Sequence, residues 1–316
     1  MRGGVGTGHA EAMANVLTNF SNELAAAVSR VSAGVVSVHG RPRIGTSGLV
    51  WRKGFILTSC EGIRTEDPIQ VLFPDGRSVD AQLKGRDPGT DLALLAADTG
   101  NAAPVEFAAD NALQAGQIAL AVGRTSNTGP IASLGIVSGV SGEWKTWRGG
   151  KLNPFVRLDV SVYPTSSGGA AVDASGNLIG LVSTGLSRSS VLVVTKTTID
   201  RVAQQLHDKG YVARGFLGIA LQPVALPPDL KQQLHLDQET GILLLGVEPE
   251  GPAAAAGLTV GDILLEANGR AITDPEILAE VLDGTTIGAA VRFRVARGGV
   301  LREVEIHIGE RPRRAK

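Results

Sequence analysis

GVEPEGPAAAAGLTVGDILLEANGRAI, residues 246–272, decides the fold of the second half of the chain. It is β-rich and punctuated by Gly257, by Gly261-Asp262 and by Asn268-Gly269, residue pairs that mark turns. The stretch that follows it, TDPEILAEVL at 273–282, reads instead as a helix. Asp274 is a good N-cap, Pro275 suits the first helical position, and Thr273 with Glu276 has capping-box spacing. Ile277, Leu278, Val281 and Leu282 then form an apolar stripe one helix face wide.

Upstream, TTIDRVAQQLHDKG at 197–210 is a second helix, with Thr198 or Asp200 expected as its cap and Gly210 where a helix ends. Between Gly34 and Val194, short apolar runs such as VVSVHG, GFILTS, LALLA and LIGLVS alternate with Gly, Asp and Asn turns. That rhythm belongs to a sandwich or barrel rather than to βαβ units, so the fold class is mostly β. Before it, Val16, Leu17, Phe20, Leu24, Ala27 and Val28 recur at three- and four-residue intervals, which predicts a helix from Met13 to Val31 packed on the first domain, or used in an oligomer contact. The division expected is a helical segment over 1–31, one β domain over 32–210, a second over 214–310 and a basic tail over 311–316.

A chain of 316 residues is long for a single core, which favours two domains. Its net charge of −1 and scattered basic residues lack the footprint of a nucleic-acid binder. Cys60 is the single cysteine, so no intrachain disulfide is available, and no spaced Cys or His set suggests a metal; no cofactor is expected. No apolar window is long enough to span a bilayer, and the amino terminus lacks the apolar core of a signal peptide. The expected location is cytoplasmic, or periplasmic if a leader has been removed.

Three segments of the first β domain carry chemistry: GFILTSCEGI at 54–63, KGRDPGTDLALLAAD at 84–98 and LDVSVYPTSSGGAAVDASGNLIGLVSTG at 158–185. In order and spacing they resemble the catalytic segments of bacterial HtrA-type, trypsin-like serine proteases. RGFLGIAL at 214–221, with the AGL, GD and NG spacing of the opening stretch, resembles the PDZ domain that follows the protease in that family. The resemblance implies a trypsin-like double β-barrel followed by a PDZ domain, and an assembly that is often a homotrimer.

It also implies roles. Ser167 falls on the nucleophile position, Asp91 on the aspartate, and Glu61 where the family has its histidine base. A serine hydroxyl needs a base that takes its proton and returns it to the leaving amine. Glutamate titrates near about 4.3, roughly two units below histidine, and is the poorer base. Thr165 stands where the family has an oxyanion-hole glycine, beside Ser166. From these departures the chain is expected not to be an enzyme but an inactive relative that binds peptide or protein carboxyl termini as adaptor, chaperone or regulator. The alternatives are a serine endopeptidase using Ser167, and a structural subunit of a mixed assembly. In the PDZ domain the resemblance puts the carboxylate-holding loop at Phe216, Leu217, Gly218 and Ile219 with Arg214 adding positive charge, and Ile277 and Val281 opposite, which suits an apolar terminal side chain.

Overall fold

The computed structural model describes residues 6–41, 45–63, 69–107, 113–126, 129–282 and 287–311, without the side chains of 6–14. The chain divides into two compact units, Met1–Val212 and Ala213–Lys316.

The first unit opens with helix α1 (Gly6–Ser32). It begins at Gly6, ahead of the expected Met13; the preceding run GTGHAEA contains no proline to interrupt the helix, although its two glycines give it no propensity signal from which this start could be read. Only the later turns pack: Ala27 and Val31 are buried, with Leu24 and Val28 against the same core, whereas Val16 and Leu17 are 66% and 64% exposed.

A barrel follows, made of β1 (Val35–His39), β2 (Thr46–Arg52), β3 (Phe55–Ser59), β4 (Ile69–Leu72), β5 (Ser78–Asp87) and β6 (Leu92–Ala97), closed in the order β1-β2-β3-β6-β5-β4. The second barrel is built from β7 (Ile118–Thr125) and β8 (Gly129–Ser141), then, after a short hairpin of β9 (Trp144–Lys145) and β10 (Lys151–Leu152), from β11 (Phe155–Asp159), β12 (Ala170–Asp173), β13 (Leu178–Ser183) and β14 (Val191–Thr195). Each barrel has its own interior, around Val36, Ile56 and Phe73 in the first and Val137, Val156 and Val193 in the second. A third cluster draws Leu57, Leu92 and Leu94 of one barrel together with Leu120, Leu181 and Val194 of the other, and with both helices of the unit. It is this shared apolar layer that fixes the barrels against each other, and with them the segments carrying Glu61, Asp91 and Ser167.

Helix α2 (Lys196–Lys209) closes the unit. Its N-cap is Thr195, not Thr198 or Asp200. The reason is tertiary: Thr198 Oγ1 takes the Asn153 N–H at 2.9 Å and Thr195 Oγ1 donates to the Asn153 carbonyl at 2.8 Å, so both hydroxyls bind a neighbouring loop rather than the helix start. Gly210 ends the helix with φ 79°, and a side chain on Gly85 would strike its carbonyl.

The second unit contains β15 (Gly215–Phe216), β16 (Ile219–Ala225), α3 (Pro228–Leu234), β17 (Thr240–Val247), α4 (Pro252–Ala255), β18 (Ile263–Ala267), β19 (Arg270–Ala271), α5 (Pro275–Val281), β20 (Ala290–Arg297), β21 (Val300–His307) and β22 (Gly309–Glu310). Its sheet runs β16-β17-β18-β20-β21, with β19 paired to β18, and β15 pairs β22 separately. Asp274 caps α5, its carboxylate accepting from the N–H groups of Glu276 at 2.7 Å and Ile277 at 3.0 Å. Phe293, Ile242, Leu264 and Ile306 fill the core. Arg311 is the described part of the expected basic tail; 312–316 lie outside the described residues.

Candidate functional site

The turn between β5 and β6 is wound by Asp87, whose carboxylate accepts from the N–H groups of Gly89 and Thr90 and from Thr90 Oγ1. The next residue, Asp91, is thereby held at φ 56°, a left-handed conformation that aspartate tolerates better than most residues. Asp91 is fully buried. Its carboxylate accepts from Ser59 Oγ at 2.8 Å, Ser183 Oγ at 2.7 Å and the Glu61 N–H at 3.0 Å. Burial pushes the Asp91 carboxyl above its usual range, and these donors work against that shift. The carboxylate is thus satisfied by hydroxyls and backbone without an imidazole.

Ser167 follows a 3-10 turn at Pro164–Ser166. The Ser167 carbonyl accepts from the Ser47 N–H at 2.9 Å and from Thr46 Oγ1 at 2.5 Å, while Ser47 Oγ donates to the Thr165 carbonyl at 2.6 Å. Ser47 Oγ in turn accepts the Arg124 N–H, so β2 and β7 together hold the turn that bears Thr165, Ser166 and Ser167. Gly168 completes it at φ 81°; a Cβ there would lie 2.2 Å from the Ser47 carbonyl oxygen.

Glu61 sits in the 3-10 turn Cys60–Gly62 that follows β3. Its carbonyl accepts from the Arg41 guanidinium, and its carboxylate lies 3.6 Å from the Arg148 guanidinium, which stacks over Trp147 at 4.4 Å. Beside it, Cys60 is buried and its thiol is pushed up to about 12, first by desolvation and then by Asp91, which leaves it protonated and unreactive as a nucleophile.

One three-residue segment touches all three positions. Ser183 donates to Asp91, the Thr184 N–H lies 3.4 Å from Ser167 Oγ, and Gly185 packs on Glu61, where a Cβ would lie 2.7 Å from the Glu61 carboxyl carbon and 3.0 Å from Asp91 Oδ2. A cleft of about 430 Å³ opens beside it, lined among others by Arg157, Asp159, Thr184 and Arg188. Ser47, Ser59, Ser183 and Arg148 were not legible as site residues; only the position of Ser183 at the head of the STG segment could have hinted at it.

In the second unit, Arg214 is half-buried and its carbonyl accepts the Arg311 N–H at 2.9 Å. The side chain of Leu217 is in the core, so any contact it makes with a peptide is through its backbone. Its carbonyl and that of Gly218 accept from the Ala253 and Glu248 N–H groups at 2.9 and 2.7 Å, which pins the loop. Gly218 has φ 75°, which strains any side chain there, and a Cβ would also crowd Gly251 Cα at 3.1 Å. Phe216, Ile219, Leu221, Ile277 and Val281 are half-buried; the last four pack at the margin of the core, on β16 and α5.

Two closed six-stranded barrels followed by this sheet unit are the architecture of a trypsin-like peptidase with a PDZ domain. Residues 46–181 match the trypsin-like peptidase domain family and 215–308 the PDZ domain family. A probable periplasmic serine endoprotease, DegP-like, from Halomonas elongata is 31% identical over 86% of this chain and 57% of its own length. One of the same description from Brucella suis is 32% identical over 87% of this chain and 54% of its own. The HtrA-type protease AlgW with a decapeptide superposes with a TM-score of 0.73 at 28% identity, covering 92% of this chain and 99% of that one. The chain belongs to the HtrA-type, DegP-like family of trypsin-like serine endoproteases with a PDZ domain. It spans about half the length of these curated relatives.

The relatives are named serine endoproteases, which corrects the expectation, drawn from Glu61 and Thr165, that the chain is not an enzyme. A different residue at one or two positions does not take the chain out of the class that its fold defines. They are also named periplasmic, so the cytoplasmic expectation finds no support. No helix among the described residues is long and apolar enough to cross a membrane.

Proposed function

We propose that the chain is a slow serine endopeptidase of the periplasm whose PDZ domain recruits peptide carboxyl termini. The observation that carries the reading is the 183–185 segment, which touches Asp91, Ser167 and Glu61 and, at Thr184, lines an open cleft. In the mechanism, Ser167 Oγ attacks the scissile carbonyl carbon and its proton passes to the Glu61 carboxylate. The Ser166 N–H already donates to the Tyr163 carbonyl at 2.8 Å, so stabilising the developing oxyanion falls to the Thr165 and Ser167 N–H groups. Glu61 then returns the proton to the leaving amine as the C–N bond breaks, and water hydrolyses the acyl-enzyme. Asp91 positions Glu61 by accepting its backbone N–H. A carboxylate is a weak proton acceptor at neutral pH, which is why the rate is low.

Cleavage of casein and labelling of the serine by a fluorophosphonate test the chemistry. Both are expected to fall to background in Ser167→Ala, and cleavage unchanged in that variant rules the mechanism out. If wild type neither cleaves nor labels, the protein is left as a peptide binder.

The PDZ domain supports the second half of the reading through Gly218 and the pinned carbonyls of its loop. Gly218→Val is expected to weaken binding of free-carboxylate peptides at least about tenfold, and Arg214→Ala several-fold, by isothermal titration. Equal binding of amidated peptides would exclude carboxylate capture. The exposed Val16, Leu17 and Phe20 of α1 support self-association into a homotrimer, which light scattering reads directly.

A further inference from the structure

The edge of the PDZ sheet contains a proline whose placement bears on how much of a peptide the domain can read. Strand β16 is an outer strand, and among the described residues it pairs with β17 alone. In an antiparallel ladder a residue turns its N–H and C=O to the same edge, and neighbours alternate. The Glu248 N–H donates to the Gly218 carbonyl at 2.7 Å, and the Leu226 N–H to the Glu239 carbonyl at 2.8 Å. Residues 218 and 226 therefore face β17, and so do 220, 222 and 224 between them. The irregularity in the ladder, where Ala220 pairs Gly246 but Leu221 pairs Leu244, places its extra residue on β17 and leaves the alternation along β16 intact. Ile219, Leu221, Pro223 and Ala225 consequently face the free edge.

Pro223 pairs Ile242 without breaking the ladder because its nitrogen, which carries no hydrogen, points the other way. The same fact removes a donor from the edge that a peptide would join. This step rests on the carboxyl-terminal reading above. A peptide whose carboxylate sits at Leu217–Ile219 runs antiparallel to β16, its last residue opposite Ile219, its third-last opposite Leu221 and its fifth-last opposite Pro223. The last residue donates its N–H to the Ile219 carbonyl, and the third-last exchanges both bonds with Leu221. The fifth-last finds a carbonyl but no N–H.

We infer that Pro223 interrupts the recognition register, so that the fifth-last residue of a bound peptide makes one backbone bond where the third-last makes two, and full pairing is confined to the last four residues.

The test uses the full chain carrying Ser167→Ala, so that peptides are not consumed, with fluorescein-labelled peptides made by extending Leu-Ala-Val with a free carboxylate by alanines to three, four, five, six and eight residues. Alanine adds little side-chain contact, so each gain in affinity reports backbone pairing. Fluorescence anisotropy is expected to show wild-type affinity gaining, from four to six residues, only what the single bond to the Pro223 carbonyl supplies. In Pro223→Ala, and in Pro223→Val as a second variant, the gain from four to six residues is expected to be about 2- to 10-fold larger than in wild type. Variants whose gain from four to six residues matches that of wild type overturn the inference and leave the carboxyl-terminal reading standing. Absence of binding at every length, or equal binding after amidation, sinks that reading and the inference with it.

Discussion

Glu61→His is expected to raise kcat/KM for peptide cleavage by about 10²- to 10³-fold at neutral pH, the range by which a well-placed general acid–base contributes to acyl transfer. The surroundings already suit an imidazole. Asp91 lies buried with its carboxylate toward this turn, and Gly185, having no Cβ, lets the residue 61 side chain lie directly against its backbone. A histidine there gains a carboxylate neighbour that stabilises its protonated form, and an acid able to hand the proton to the leaving amine. Cost comes from Arg148, which now pairs Glu61 at 3.6 Å and would face a cation instead. Arg148→Ala in the histidine background is therefore expected to add further rate. The check is kcat/KM against pH: a rise with an apparent pKa in the histidine range is the expected signature, and an unchanged rate in a folded Glu61→His protein would show that the site fails for a reason other than its base.

Arg297→Ala is expected to be the most damaging single change to the PDZ unit, costing about 3 kcal/mol. The Asp262 carboxylate is buried at the turn entering β18, where it accepts from Arg297 Nε at 2.7 Å, from the second guanidinium nitrogen at 2.6 Å and from the Thr259 N–H at 2.8 Å. Removing the arginine leaves a buried carboxylate with one backbone donor. Burial alone raises the Asp262 pKa, but the bonds from Arg297 and Thr259 outweigh it and hold the group below the usual carboxylate range. A depressed folded-state pKa means that the stabilisation is present above the unfolded value of about 3.9 and is lost as pH falls through the folded one. Wild type is thus expected to lose this contribution in strong acid, and Arg297→Ala to show a flatter loss below about pH 4. Chemical denaturation followed at pH 7 and pH 3 measures both. Equal stability of variant and wild type at pH 7 would remove the pair from the account of this unit.

Features written in adjacent residues are legible from residue order alone. Asp274 caps α5, Gly210 ends α2 and Gly218 adopts a positive φ because capping and turn chemistry reach only a few positions along the chain. The β character of both halves is legible for the same reason, since strand alternation and turn residues are local signals. Glu61, Asp91 and Ser167 can be named from their segments, yet nothing in those segments says what else contacts them. Ser183 reaches Asp91 across 92 positions, Ser47 reaches the Thr165 carbonyl across 118, and Arg148 meets Glu61 from a hairpin of the other barrel.

Local sequence signals therefore suffice for the mostly β architecture, and the segments at 54–63, 84–98, 158–185 and 214–221 suffice for the family resemblance that singles out Glu61, Asp91, Ser167 and Gly218. Long-range packing is what satisfies Asp91 with two serine hydroxyls and the Glu61 N–H, brings Arg148 against Glu61, makes Thr195 rather than Thr198 the cap of α2, and turns the Pro223 nitrogen to the open edge of β16. The physical reason is common to all four: each depends on which distant strand or loop lies alongside, and strand register and barrel closure are set by the summed burial of many apolar side chains rather than by any short run of sequence.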